Sequence, residues 1–298
     1  MSKYYVLFNP LAGNGTGRDE TVKLVNEPSL QESELIFTDM TQLNSYKEFF
    51  ASLTEDDKII LSGGDGTINR FVNDTSSIDI KHEIYYYATG TGNDFVGELG
   101  KKKGDTPFLL NPYIKDLPTV TINGQTHKFL NGIGFGIDGY CCEEGDKLRG
   151  KTDKPINYPA IAIKGLLFFF KPRTATITVD GEKHTYKKTW IAPTMKGKCY
   201  GGGMIMAPDQ DRLADDGMVS AMAIHGSGKI KTLIVFPTIF KGEHVKHKEM
   251  VAIHRGHEVT VEFDRPTALQ IDGETVVGVT KYSVSTGKTA NKKEDALV

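Results

Sequence analysis

Three short apolar runs near the N-terminus each stop at a glycine-rich turn, and this junction limits the fold more than any other feature of the chain. Tyr5 to Phe8 runs into Asn9-Pro10-Leu11-Ala12-Gly13-Asn14-Gly15, Lys58 to Leu61 leads to Gly63-Gly64-Asp65-Gly66-Thr67, and Ile84 to Ala88 leads to Thr89-Gly90-Thr91-Gly92-Asn93-Asp94. With Leu35 to Thr38, these runs are apolar enough to be buried on both faces, as parallel strands are. Leu43, Tyr46, Phe50 and Leu53 recur between them at helical spacing. Strands alternating with helices predict an open parallel α/β sheet over roughly the first hundred residues. From about residue 117 the pattern changes. Asn123-Gly124, Asp180-Gly181 and Asp272-Gly273 each lie between strand-like segments, which predicts hairpins and an antiparallel half. One helix is expected there over Ile156 to Phe170, with Pro155 near its start and Pro172 just past its end. The polar tail Gly287 to Val298 is expected to fray.

The glycine turns carry the chemistry. Strand C-termini of an open parallel sheet form the crevice where ligands bind, and glycine lets backbone N–H groups approach an anion with no Cβ in the way. The second and third turns also lead into helical patterns, whose N-termini favour negative charge. Ordinary strand-to-helix turns use Gly and Asp as well, but three such turns together predict phosphate binding. Asp65 and Asp94 would repel a bare phosphate, so a magnesium ion is expected with it, as nucleoside triphosphates supply. No Gly-x4-Gly-Lys-Ser/Thr sequence occurs, which excludes the common P-loop. A Gly-x-Gly-x-x-Gly match at Gly134, Gly136 and Gly139 lies in the hairpin-rich half and so fails the context of a dinucleotide site.

The length of 298 residues fits two domains, with a soft boundary between 115 and 125. Lys plus Arg (36) nearly balance Asp plus Glu (38), so no global charge points to nucleic acid or an anionic membrane, and a lipid partner must be recognised locally. Cys141, Cys142 and Cys199 make an odd, sparse set that suits a reducing cytoplasm rather than a disulfide framework. The apolar run before Asn9-Pro10 is too short for a secretory signal. Tyr158 to Phe170 is shorter than the roughly 20 residues of a membrane span and contains Lys164 and Gly165.

In order and spacing, Asn9-Pro10 with Gly13, Gly63 to Thr67 followed by Asn69, and Gly90-Thr91-Gly92-Asn93-Asp94-Phe95 resemble the diacylglycerol kinase catalytic-domain superfamily, within it the soluble bacterial lipid kinases. Asn131 with Gly134-Phe135, Gly201-Gly202-Gly203-Met204 with Ala207-Pro208, Leu213 with Asp215-Asp216-Gly217, and Ile271-Asp272-Gly273-Glu274 extend the resemblance over nearly the whole chain. It implies an N-terminal α/β nucleotide domain (1–120, completed by a C-terminal strand at about 280–298) and a β-sandwich-like lipid-substrate domain (121–280), with the active site in the cleft between them. ATP and magnesium are the implied co-substrate and metal. Asn9, Thr38, Gly63, Gly64, Asp65, Gly66, Thr67, Ile68, Asn69 and Thr91 are implied to contact the nucleotide, and Asp94 to organise magnesium. A second, structural magnesium is implied at the Asp216 carboxylate and the carbonyls of Leu213 and Met218, all hard oxygen donors. One departure stands out: where many relatives carry an Asp before the Asn123-Gly124 hairpin, this chain has Leu117-Pro118-Thr119-Val120.

Phosphoryl transfer also needs a carboxylate to take the proton of the attacking hydroxyl, and Asp272 or Glu274 is expected to supply it. Asp-Gly is equally a hairpin turn, and Asp180-Gly181-Glu182 repeats the same tripeptide where only a turn is assigned, so local sequence cannot separate the two copies. His244, His247, His254 and His257 sit at strand-like spacing that turns residues three apart to opposite faces, against a zinc site. The leading expectation is an ATP-dependent lipid kinase, cytoplasmic and peripheral to a membrane when acting, with diacylglycerol or a related lipid alcohol as acceptor. No nucleic-acid partner is expected, and a homodimer stays open. The competing expectations are a kinase for a water-soluble acceptor, of the NAD kinase or phosphofructokinase type, and a non-catalytic nucleotide-binding regulator.

Overall fold

The computed structural model describes residues 3–149, 151 and 156–288. The chain divides into two compact units, Met1–Leu117 with Tyr200–Gly203, and Pro118–Cys199 with Met204–Val298.

The first unit holds strands β1 (Lys3–Phe8), β2 (Glu34–Asp39), β3 (Lys58–Gly63), β4 (Ile84–Ala88) and β5 (Phe108–Leu109) in the order β2-β1-β3-β4-β5. The four expected strands are all present and pair in parallel, and β5 joins β4 antiparallel. Val6, Leu7, Ile59, Ile60 and Leu61 are fully buried at consecutive positions, so both faces of the central strands are covered. Helices α1 (Ala12–Gly15), α2 (Gly17–Thr21), α3 (Tyr46–Ala51), α4 (Asp65–Asp74), α5 (Asp94–Glu98) and α6 (Asn111–Ile114) lie in the connections. The chain leaves β1 toward β2 on one side and returns across it to β3 on the other. That reversal opens a crevice at the C-terminal ends of β1 and β3.

The second unit is antiparallel and sandwich-like. Its strands are β6 (Thr119–Ile122), β7 (Gln125–Lys128), β8 (Gly132–Phe135), β9 (Arg173–Val179), β10 (Glu182–Thr189), β11 (Thr194–Met195), β14 (Val219–Ile224), β15 (Val251–Gly256), β16 (Glu258–Ile271) and β17 (Glu274–Ser285), while β12 (Cys199–Tyr200) and β13 (Met204–Ile205) pair separately. The long β16 organises this unit. Its first half pairs with β9 and its last residues with β8, and its pairing with β17 shifts register between Glu262 and Thr267. Pro266, which has no N–H to give a ladder, lies inside that shift, where the strand bends. Phe135 stacks on Phe263 at 4.0 Å across the bend, within a core that also buries Tyr282. The three expected hairpins all form. Asn123 and Gly124, Asp180 and Gly181, and Asp272 and Gly273 each pair two positive φ angles, the signature of a type I′ turn.

Three details differ from the sequence reading. The units divide at 117/118, because β6 begins at Thr119 and pairs with β7 and β17. Residues 280–285, assigned above to the first domain, continue β17 in the second unit, and 289–298 lie outside the described residues. The helix expected over Ile156 to Phe170 is α8 (Tyr158–Lys164), capped by the Asn157 side chain on the Ala160 N–H and continued by a π-helical turn, Gly165–Phe169; Pro155 lies outside the described residues. The remaining helices are α7 (Ile137–Arg149) and α9 (Lys229–Val235). Among the described residues, no helix is long and apolar enough to cross a membrane.

Candidate active site

The three glycine turns meet in the first unit. Asn9, just past β1, donates its backbone N–H to the Ser62 carbonyl at 3.1 Å and its side-chain amide to Thr67 Oγ1 at 3.3 Å. The Gly63 carbonyl accepts from Thr89 N–H (2.7 Å), Gly90 N–H (3.0 Å) and the Tyr86 hydroxyl (2.9 Å). Burial, with a smaller push from the Asp65 carboxylate, holds the Tyr86 phenol well above its usual range, so it stays a donor. Asp65 Oδ2 accepts the Phe95 N–H at 3.0 Å, tying the second turn to the third.

Glycine is required at these contacts by space. A Cβ on Gly63 would lie 2.2 Å from Thr67 Oγ1, and one on Gly90 would lie 2.5 Å from the Gly64 Cα. Gly66, by contrast, faces open space at the first turn of α4, the helix N-terminus whose dipole favours an anion. Beside this cradle, Thr89 Oγ1 and Asn93 Oδ1 are buried with no hydrogen-bond partner. A cradle tightened at Gly63 and Gly90 and open at Gly66, next to orphaned polar atoms and carboxylates, fits a phosphate chain with its metal ion.

The expected nucleotide residues are not equivalent. Asn9, Gly63, Gly64, Asp65 and Thr67 are brought together by the bonds above. Thr91 is exposed on the third turn. Ile68 is wholly buried, so only its backbone is available, and Asn69 Oδ1 accepts from the Asn73 amide at 3.2 Å. Thr38 stands on β2 opposite Leu7 of β1. The Asp94 carboxylate accepts the N–H groups of Gly202 (2.8 Å) and Gly203 (2.5 Å), residues that belong to this unit. No cluster of three or more His, Cys, Asp or Glu able to hold a metal occurs among the described residues. Sequence reasoning missed Thr89, Asn93 and Tyr86 as site residues; the first two stand inside the third turn, but nothing local marks them as buried.

In the second unit the two Asp-Gly turns prove to be structural twins. Asp272 Oδ2 accepts the Leu130 N–H (2.5 Å) and its Oδ1 accepts those of Asn131 (2.8 Å) and Gly132 (3.0 Å). Asp180 Oδ1 likewise accepts from His257 N–H (3.0 Å) and Glu258 N–H (2.8 Å). The Asp272 anchor is braced in turn, because buried Arg212 bonds the Asn131 side chain (2.9 Å) and the Leu130 carbonyl (3.3 Å). Glu274 stands exposed at the start of β17.

Asp216 sits at a surface turn. Its Oδ1 accepts the Met218 N–H at 2.9 Å and its Oδ2 meets Arg255 Nη2 at 3.0 Å. The Met218 amide, and less strongly Arg255, hold this carboxyl below its usual range against the opposing effect of burial. The Met218 carbonyl accepts from Gln210 Nε2 at 2.9 Å. The oxygen donors suit magnesium in kind, with Arg255 as the competitor an ion would displace. The histidines each have separate company: His244 with the Met206 carbonyl, His254 with the Tyr186 hydroxyl, His257 with Thr286.

Residues 3–120 match the model of the diacylglycerol kinase catalytic domain, and residues 131–286 match that of the YegS C-terminal NAD kinase beta sandwich-like domain. A diacylglycerol kinase of Bacillus subtilis is 24% identical over 282 residues, covering 92% of this chain and 90% of that protein. One of Mycobacterium tuberculosis is 26% identical over 213 residues, covering 69% and 67%. A crystal structure of a diacylglycerol kinase from Bacillus anthracis superposes with a TM-score of 0.58 at 18% identity, over 95% of this chain and 93% of that one, which shows the fold.

Proposed function

Because this chain belongs to the family of bacterial lipid kinases that join a diacylglycerol kinase catalytic domain to a YegS-type C-terminal domain, we propose that it transfers the γ-phosphoryl group of ATP to the hydroxyl of a lipid alcohol, diacylglycerol or a close relative. The observation that carries this reading is the convergence of three glycine turns at the β1/β3 switch point, beside the orphaned Thr89 and Asn93 oxygens. The turn from Gly63 to Thr67 holds the donor phosphates at the N-terminus of α4, with Asn9 fixing Thr67 behind them. Thr38, Ile68, Asn69 and Thr91 are proposed as the outer contacts of the nucleotide. Asp65 and Asp94 are the carboxylates that would stand beside a magnesium ion brought with ATP, which would supply charge neutralisation at the transferring phosphoryl group.

Glu274 rather than Asp272 takes the proton from the attacking hydroxyl. Asp272 spends both oxygens on three backbone N–H groups, as its twin Asp180 does on two, whereas Glu274 is exposed. Asp272 therefore acts as a positioning residue that fixes the turn from which Glu274 projects. The carbonyls of Leu213 and Met218 with Asp216 are proposed to hold the second magnesium, and the working location is the cytoplasmic surface of a membrane.

The test is incubation with labelled ATP, magnesium and a panel of detergent-dispersed lipid alcohols beside water-soluble alcohols. Label on a lipid alcohol is expected. Label only on a soluble acceptor would move the chain to that class of kinase, and ATP binding without transfer to any acceptor would make it a nucleotide-binding regulator.

A further inference from the structure

Large apolar side chains of the second unit are mostly buried, but four on two touching elements are not: Phe168 is 70% exposed, Phe169 61%, Ile230 76% and Ile234 69%. The π-helical turn Gly165–Phe169 lies against α7 through Gly165, where a Cβ would come 2.7 Å from the Tyr140 ring and 2.9 Å from Ile137. With Gly165 and Leu166 turned inward, the Phe170 N–H closes the turn on the Gly165 carbonyl at 2.8 Å, and Phe168 and Phe169 face solvent. Helix α9 buries Thr232 and Val235 and presents Ile230 and Ile234, four residues apart, on its outer face. The two elements are joined, because Lys229 Nζ donates to the Leu167 carbonyl at 2.7 Å.

Basic residues outnumber carboxylates around this face, where Glu249 pairs with Lys231 of α9 and Glu243 lies near Lys241. Residues 156–173 contain Lys164, Lys171 and Arg173 and no carboxylate, and residues 226–242 contain Lys229, Lys231 and Lys241 and no carboxylate. The carboxylates on neighbouring elements are already matched, Glu249 with Lys231 and Glu143 and Glu144 with Lys147. The chain as a whole has a net charge of −2, so attraction to an anionic surface has to come from a local patch such as this.

Resting on the lipid-kinase reading, we propose that the adjoining outer faces of the Gly165–Phe169 turn and α9 dock on an anionic phospholipid bilayer. Phe168, Phe169, Ile230 and Ile234 enter the boundary of the acyl chains, and the surrounding lysines engage the headgroups. Aromatic and aliphatic tips ringed by lysine are the composition of an interfacial anchor, and neither element is long enough to span. A lipid acceptor with buried acyl chains stays in the bilayer, so the kinase has to come to it.

The intact protein is tested by co-sedimentation with vesicles of phosphatidylglycerol and phosphatidylcholine against phosphatidylcholine alone, at low and high salt. The wild type is expected to bind the anionic vesicles, more strongly at low salt. Phe168→Ser with Phe169→Ser, and Ile230→Ser with Ile234→Ser, are each expected to weaken binding by about tenfold or more. Lys164→Glu with Lys241→Glu is expected to weaken it by about fivefold per lysine. These positions are exposed, so melting temperatures and phosphorylation of a short-chain lipid alcohol dissolved as monomers should be unchanged. Wild-type binding by the apolar variants, no binding by the wild type, or conversion of a dimer to a monomer by those variants would overturn the docking surface. The vesicle measurement needs no ATP, so failure of docking and failure of the kinase reading are separate results.

Discussion

Asp180 and Asp272 show how one dipeptide can occupy a fold twice in the same local role, although only the second is proposed to stand beside the chemistry. Both adopt positive φ in a type I′ turn and both gather backbone N–H groups from the strand segment beside them. Replacing Asp272 by Asn sets an amide donor against one of those N–H groups, and hydrogen bonds to a charged group contribute about 2 kcal/mol. Asp272→Asn is therefore expected to lose roughly that much stability along with much of its activity, and Asp180→Asn a similar stability with little loss of turnover per folded molecule. Glu274→Gln should do the reverse. Its melting temperature and ATP affinity stay at wild-type values while kcat falls about 10²- to 10⁴-fold, the usual contribution of a general base. An Asp272→Asn protein as stable as wild type yet inactive, beside an active Glu274→Gln protein, would reverse the two roles. Urea midpoints with single-turnover rates separate these outcomes.

At the scale of elements, the phosphate cradle is two loops pressed glycine against glycine. A Cβ on Gly90 would sit 2.5 Å from the Gly64 Cα, backbone that cannot move aside, whereas a Cβ on Gly66 would meet nothing within 4 Å. Gly90→Ala is thus expected to lower both thermal stability and ATP affinity. Gly66→Ala should keep wild-type stability and lose ATP affinity alone, because the space it fills is where the phosphates are proposed to lie; calorimetric titration with ATP checks both, and an unaltered affinity in Gly66→Ala would remove that turn from the site. The strands of the first unit and the hairpins of the second were legible because burial on both faces leaves uninterrupted apolar runs such as Ile59 to Leu61, and because Asn-Gly and Asp-Gly suit paired positive φ. What local sequence could not carry is partnership set by the fold. Asp94 is held by Gly202, 108 residues downstream. The π-helical turn lies in an almost continuous apolar run, Leu166 to Phe170, whose periodicity cannot say which ring faces out. The Asp272 carboxylate is likewise held by the Leu130 to Gly132 segment, some 140 residues upstream of the turn.

For the whole molecule, the proposed second magnesium links ion binding to folding of the second unit. Asp216 is ionised at neutral pH because its carboxyl is held below its usual range, and its present cationic partner is an exposed guanidinium. Exposed pairs of this kind contribute about 1 kcal/mol or less, so Arg255 is a weak competitor for a divalent ion. An ion that binds the folded chain alone stabilises it by RT ln(1 + [L]/Kd), about 2.7 kcal/mol at a hundredfold excess over Kd. Magnesium without nucleotide is therefore expected to raise the melting temperature and a chelator to remove the gain. Asp216→Asn should abolish that response, and Arg255→Met should sharpen it by freeing the carboxylate. The sign with pH follows from the lowered pKa: the magnesium response is full above the ordinary carboxylate range and fades as pH falls through the depressed value of Asp216, when protonation removes the ligand. A melting temperature indifferent to magnesium in both wild type and Arg255→Met would leave Arg255 itself as the cation that closes this turn, and the ATP-bound magnesium as the sole metal of the reaction.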